Sequence, residues 1–127
     1  LNFTFHRAFD WVLNPEEELK KLEKIDVDRI LTSGQITSAE KGIHTLAQWN
    51  KSTRIKILPG GGINSENIKL FQKNGFKEVH LSATSQTKTI DQPKITMTSS
   101  KHFDETQLAI SDVQKIKNCL DILSNEA

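Results

Sequence analysis

The chain has 127 residues, which is enough for one domain of ordinary size. Its 17 basic and 16 acidic residues give a formal net charge of +1, which argues against a nucleic-acid partner. No apolar run approaches the length of a membrane span and no signal peptide is visible, so we expect no membrane partner. The single cysteine, Cys119, cannot form an internal disulfide, which fits the reducing environment of the cytoplasm.

Four short segments rich in Ile, Leu, Val or Phe have the pattern of buried strands. They lie at residues 3–6, 29–33, 54–58 and 78–82. Their ends recur roughly every 25 residues, which is the length of a strand, a loop and a helix. This repeat predicts a series of β-α units.

Helices are predicted after each of the first three strands. The first begins at Asn14 and Pro15, and the second opens with a capping box at residues 37–40. The third starts at Asn64 or Ser65, with Gly75 as its C′ residue. Apolar residues at helical spacing mark the buried faces: Leu19, Leu22 and Ile25; Ala39, Ile43, Leu46 and Ala47; Ile68 and Phe71.

A fourth helix follows Ser111 and Asp112. Its apolar residues at helical spacing are Val113, Ile116, Leu120 and Leu123. Residues 84–110 are rich in Ser, Thr, Lys and Gln, so we predict one long, poorly ordered loop with a short extended piece at residues 95–97. The whole chain is interpreted as a single domain, residues 1–127.

Strands that alternate with helices indicate parallel β-α units with right-handed crossovers. Four such units form either a small open sheet or half of a (β/α)8 barrel. In both folds ligands bind at the carboxyl ends of the strands, so the residues that follow each strand are the candidates for a site.

The candidate catalytic residues at these strand ends are His6, Arg7, Asp10 and His80. The candidate anion-binding residues are Ser33, Gln35, Gly60, Gly61, Gly62, Ser82 and Ala83. Bare glycine N–H groups and a helix that opens near Asn64 are suited to a phosphate or carboxylate. Alternatives stay open, because the glycines also suit a tight turn, the histidines suit hydrogen bonds inside a barrel, and Arg7 with Asp10 suits a structural ion pair.

Four segments together resemble one known family. They are Phe5-His6-Arg7-Ala8-Phe9-Asp10, Arg29-Ile30-Leu31-Thr32-Ser33-Gly34, Pro59-Gly60-Gly61-Gly62-Ile63 and Glu78-Val79-His80. In this order and spacing they resemble the carboxyl-terminal half of CutC proteins. The resemblance implies a (β/α)8 TIM barrel, of which this chain supplies the last four β-α units. It also implies a role in cytoplasmic copper homeostasis, with Cu(I) bound by cysteines of the amino-terminal half.

The resemblance carries no metal ligands to this chain, because Cys119 matches none of the family's proposed cysteines. The metal ligands are therefore unknown, and Cu(I) is a possible cofactor by resemblance only. A half barrel leaves its edge strands unpaired, so we expect the partner to be the missing amino-terminal half or a second copy of the chain in a homo-oligomer.

Three hypotheses follow for the function. The chain belongs to a copper-homeostasis protein, or to a barrel enzyme that acts on a small anionic substrate, or it is a truncated piece without activity of its own. The strand-end polar residues favour an enzyme-like pocket, but they name neither a reaction nor a substrate.

Overall fold

A parallel sheet of three strands forms the centre of the structure, a computed structural model that describes residues 1–97 and 104–125. The strand order is β1-β2-β3. The strands are β1 (Thr4–Phe5), β2 (Arg29–Thr32) and β3 (Lys56–Pro59). Helices α1 (Pro15–Lys24) and α2 (Ile43–Ser52) connect them. The predicted class, an α/β fold with a parallel sheet, is therefore confirmed.

One face of this sheet is packed in the hydrophobic core. Ile30 of β2 pairs with Ile57 of β3, and both are buried against helix residues such as Leu46, Trp49 and Phe71. The opposite face, which we call the open face, carries partly or fully exposed side chains. These are Thr4, Arg29, Leu31, Lys56 and Leu58. Alternation along each strand thus separates a core face from a face without cover in the described part of the chain.

The helices differ from their predicted bounds at several ends. Helix α1 begins at Pro15 as expected, but Ile25 lies beyond its end and is exposed. Helix α2 begins at Ile43, because residues 39–42 form turns before it. A Cβ on Gly42 would lie 2.0 Å from the carbonyl oxygen of Ser33, so this close approach admits only glycine.

The third helix, α3 (Ile68–Lys73), starts later than the predicted Asn64 or Ser65. Gly75 follows it with φ of +85°, as expected for a C′ residue. The fourth helix, α4 (Val113–Ser124), is capped by the Asp112 carboxylate. Its buried residue is Cys119, whereas the predicted apolar positions Val113, Ile116 and Leu120 are exposed.

The fourth predicted strand, at residues 78–82, is reduced to one parallel bridge between Gly60 and His80. The N–H of His80 donates to the carbonyl of Pro59 at 2.8 Å. Val79 and Leu81 pack against the core, and His80 lies on the open face. Ala83 has φ of +46°, and this turn ends the extended segment.

The predicted long loop at residues 84–110 is corrected by an antiparallel hairpin. It consists of β4 (Thr84–Lys88) and β5 (Gln107–Ser111). Polar, β-branched residues such as Thr84 and Thr87 suit a strand with two solvated faces. A polar composition of this kind is also typical of loops, so it does not by itself indicate a strand. No strand covers residues 95–97, and part of the connection lies outside the described residues.

Among residues 1–97 and 104–125, no helix has both the length and the apolar character needed to span a bilayer.

Candidate functional site

The strand-end candidates lie at one end of the sheet. The pairing of β1 with β2 and of β2 with β3 is parallel, so their carboxyl ends share an edge. His6 follows β1, Ser33 follows β2 and Gly60 follows β3, and the bridge to Gly60 brings His80 to the same edge. The structure therefore gathers the predicted residues around a common rim.

Asp10 organises the centre of this rim. It lies in a short 3₁₀ helix, Arg7–Trp11, where residues three apart share a face, and its side chain is only 8 % exposed. Its carboxylate accepts hydrogen bonds from the hydroxyl of Thr32 and from the N–H groups of Ser33 and Gln35, the latter at 3.3 Å. The end of β2 is thus fastened to the 3₁₀ helix.

Two opposing effects act on the pKa of Asp10. Burial raises the pKa, because it disfavours the charged form. The hydrogen bonds from Thr32, Arg7, Ser33 and Gln35 favour that form and lower the pKa below the ordinary value for Asp. Asp10 is therefore an anion at neutral pH, and it suits a structural role better than that of a general base.

Arg7 extends from β1 across the ends of the other two strands. Its Nε donates to Asp10 at 2.7 Å, and its Nη2 donates to the hydroxyl of Ser33 at 2.6 Å. Its Nη1 lies against the glycine loop, 3.2 Å from where a Cβ on Gly61 would stand. The predicted ion pair with Asp10 is present, and within the described residues Nη1 has no hydrogen-bond partner.

The glycine loop, Gly60 to Gly62, supplies bare backbone beside Arg7. A Cβ on Gly60 would lie 2.4 Å from the Leu31 side chain, and Gly61 has φ of +113°, so both positions favour glycine. The carbonyl of Gly61 accepts from the N–H of Ala39 at 2.9 Å. Among the described hydrogen bonds, none uses the N–H of Gly61 or Gly62.

The predicted contribution of a helix N-terminus to this loop is wrong. Helix α3 starts only at Ile68 and is short. The N–H of Asn64 donates to the Asn67 side chain, and that of Glu66 donates to the Asn64 side chain, both at 2.9 Å. Asn and Asp side chains readily satisfy nearby backbone groups in this way. Arg7 and the glycines therefore lie together at the rim without a helix end beside them.

Several predicted site residues make local contacts instead. His6 caps the 3₁₀ helix, since its Nδ1 accepts from the N–H of Ala8 at 3.0 Å. The Gln35 side chain donates to the carbonyl of Val12 at 2.7 Å, and Ser33 is fully buried. Ala83 accepts from the N–H of Asp112 at 2.8 Å.

His80 and Ser82 keep exposed side chains. The Cβ of His80 lies 3.3 Å from where a Cβ on Gly60 would stand, so its imidazole borders the glycine loop. His80 is thus the candidate acid or base that borders Gly60, whereas Ser82 leads away toward the hairpin.

Two sets of supporting contacts were not predicted from the sequence. Thr32 is fully buried and holds Asp10, and its alternation with Ile30 along β2 could have indicated an inward direction. On the open face, Glu78 accepts hydrogen bonds from Arg29 at 2.6 Å and from Lys56 at 3.4 Å. Each of these residues begins a strand or predicted strand, which is the signal that could have connected them.

The described residues do not fit a copper site. Across residues 1–97 and 104–125, no group of three His, Cys, Asp or Glu side chains is placed to hold a metal ion. Cys119, the one soft sulfur ligand of its type in the chain, is 4 % exposed within the core.

The fold and the rim define a parallel β-α protein whose polar site lies at the carboxyl ends of its strands. A family model described as the CutC family matches residues 1–85, and the chain belongs to this family. The resemblance stated from the sequence is thereby confirmed. Most of the hairpin and all of α4 lie beyond the matched residues.

Curated relatives named as family protein CutC include one from Bacteroides thetaiotaomicron, 35% identical over 98% of this chain and 53% of the relative. One from Proteus mirabilis is 38% identical over 98% of this chain and 51% of the relative. One from Vibrio cholerae serotype O1 is 45% identical over 65% of this chain and 34% of the relative. The chain spans about half the length of the first two relatives.

Proposed function

We propose that this chain provides a binding site for a small anionic molecule, phosphate- or carboxylate-bearing, within a CutC-family protein. The observation that carries the proposal is the orientation of Arg7. Asp10 and Ser33 hold two of its nitrogens, while Nη1 faces Gly61. An arginine held in this way meets a carboxylate or phosphate with little further loss of side-chain entropy.

The rim has further properties that suit an anion. The Arg7 side chain is 44% exposed, so a ligand can reach it. The N–H groups of Gly61 and Gly62 lie in the same loop and can approach an anion without a side chain in the way. Asp10 offsets much of the arginine charge, so binding depends on directed hydrogen bonds more than on net charge.

For the whole protein we propose the role that the family resemblance implies, which is copper homeostasis in the cytoplasm. In this proposal the β-α units are the last four of a (β/α)8 barrel, completed by an amino-terminal half or a second copy. Copper is then a ligand of the complete protein. A Cu(I) titration of a full-length relative beside this chain tests that role.

A second candidate is a TIM-barrel enzyme that acts on a small anionic substrate. The exposed imidazole of His80, next to Gly60 and the Arg7 subsite, favours it. Arg7 would anchor the anionic group, and His80 would transfer a proton at a neighbouring atom. This role for His80 needs the anion subsite and fails with it.

An NMR titration with inorganic phosphate tests the anion site. The amide signals of Gly61 and Gly62 should shift saturably, and Arg7→Gln should weaken binding by at least about tenfold, because it removes a charge-assisted donor. Arg54→Gln is the matched control, since Arg54 is exposed and pairs with Asp26 away from the rim.

Two results would contradict the proposal. One is a glycine loop whose amide signals do not respond to phosphate, in which case Gly60 to Gly62 form only a turn. The other is equal weakening by Arg7→Gln and Arg54→Gln, which would indicate nonspecific charge attraction.

A further inference from the structure

The hairpin β4–β5 leaves a strand edge without a partner in the described part of the chain. It forms a sheet of only two strands, and every residue of β5 is exposed. A two-stranded hairpin alone is marginally stable in water, and a further strand or an apolar cover stabilises it. We propose that two copies of this chain associate through β5, pairing Gln107–Ser111 antiparallel with the same strand of the second copy.

The chemistry of the two edges selects β5 over β4. The β5 sequence Gln-Leu-Ala-Ile-Ser contains neither a charged residue nor a proline, the features that usually protect an exposed edge. On β4, Lys88 pairs with Asp91 at 2.7 Å, and Lys115 donates to the carbonyl of Thr84 at 2.6 Å. Lysine side chains therefore protect the edge of β4 against pairing with another strand, whereas β5 has no such protection.

The β5 sequence is complementary to itself. Within its own hairpin, Leu108 lies opposite Thr87 and Ile110 lies opposite Ser85, so neither has an apolar cross-strand neighbour. They are 55% and 46% exposed. Antiparallel pairing about Ala109 places Leu108 opposite Ile110 of the second copy, twice in one two-fold interface. Gln107 then meets Ser111, and no charges are brought together.

Sedimentation of the 127-residue chain over a range of concentrations tests this interface. The unchanged chain should form a dimer, and Ala109→Lys should weaken dimerisation at least about tenfold, because it places two lysines opposite each other. Gln86→Lys is the matched control, since Gln86 lies opposite Ala109 in the same hairpin but belongs to β4, which is outside the proposed interface. It should leave the dimer intact.

A nitroxide label supplies a second measurement that does not depend on the lysine variant. Labels at Ala109→Cys should show short-range dipolar coupling, since the paired Cα atoms would be about 5 Å apart. Labels at Gln86→Cys should lie roughly 10 Å farther apart than labels at Ala109→Cys, because each β4 lies one strand spacing outside its own β5. A monomer at every concentration, a dimer that persists with Ala109→Lys, or equal coupling at the two positions would overturn the proposal.

Discussion

Asp10 shows how one buried carboxylate can position an arginine side chain. Its oxygens accept from Thr32, Ser33 and Gln35, and the same group pairs with Arg7. The arginine for which we propose anion binding is therefore held by residues outside the glycine loop. A substitution at Asp10 should act on stability and on the placement of Arg7 together.

Asp10→Asn should lower the free energy of unfolding at pH 7 by about 1–3 kcal/mol, because a charged acceptor is lost from buried donors. The pKa of Asp10 is lowered in the folded state, so its stabilisation is present above the unfolded pKa of about 3.9. It is lost as the pH falls through the folded pKa. Urea unfolding at pH 7 and at several values below 4 measures both effects.

The variant and the unchanged protein should converge in stability at the acidic end. Asp26→Asn is the control, because Asp26 is exposed and Asn tolerates its left-handed backbone. Equal effects of the two substitutions at pH 7 would mean that the Asp10 network does not stabilise the fold.

At the scale of elements, close backbone contact decides where α2 begins. Gly42 precedes α2 and has an ordinary negative φ, but a Cβ there would overlap the Ser33 carbonyl. Gly75 after α3 shows the opposite situation, because φ is positive and nothing lies near its Cβ position. Gly42 is therefore required to avoid steric overlap, whereas Gly75 is favoured by its backbone conformation.

Gly42→Ala should destabilise the protein by about 3 kcal/mol, since the backbone of the rim must move to admit the methyl group. Gly75→Ala should cost about 1–2 kcal/mol from the left-handed conformation alone. Chemical unfolding of both variants measures the difference. If Gly75→Ala is the more damaging substitution, the contact between α2 and the end of β2 is looser than described.

Regular periodicity made much of the fold predictable. The predicted buried strands contain Ile30 and Ile57, and the predicted helical face contains Ile43 and Leu46; all four residues are buried. The hairpin was missed because β4 carries polar residues, such as Thr84 and Thr87, on both of its faces. No alternation of apolar and polar residues therefore marks this segment as a strand. On α4, Cys119 is buried while Ile116 and Leu120 are exposed, a choice that depends on where α3 packs and not on spacing.

Side-chain networks were less predictable than the strand ends. The rim residues followed from parallel topology, and the ion pair of Arg7 with Asp10 was one of the alternatives that the sequence left open. Whether Gln35 binds a ligand or the Val12 carbonyl depends on its left-handed φ of +60°, which no pattern in the sequence indicates. The uses of His6 and Asn64 as local caps depend on similar details.

At the scale of the whole molecule, support for the sheet is uneven. The central strand β2 pairs along four residues with β3, whereas β1 contributes two residues and His80 a single bridge. The relatives are about twice as long as the match, and a barrel closes such edges. A covering half or copy would therefore act first on β1 and on residues 78–82.

Amide hydrogen exchange should follow this order. Exchange should be slowest in β2 and β3 and faster at Phe5 and His80, because local opening there breaks fewer hydrogen bonds. If copies cover the sheet edges, protection of Phe5 and His80 should rise with protein concentration. If they associate through β5, protection should rise at Ala109 and Ser111 instead, because alternation along the antiparallel hairpin directs their N–H groups away from β4. Uniform protection across the sheet would contradict the described pairing.

The two tryptophans occupy opposite environments. Trp49 is 2% exposed and meets Phe9 edge to face at 5.4 Å, whereas Trp11 is 88% exposed at the end of the 3₁₀ helix that carries Arg7. Indole fluorescence depends on the polarity around the ring, so the protein contains two natural optical reporters of different kinds. Trp49 reports on the integrity of the core, and Trp11, which a collisional quencher can reach, reports on events at the rim.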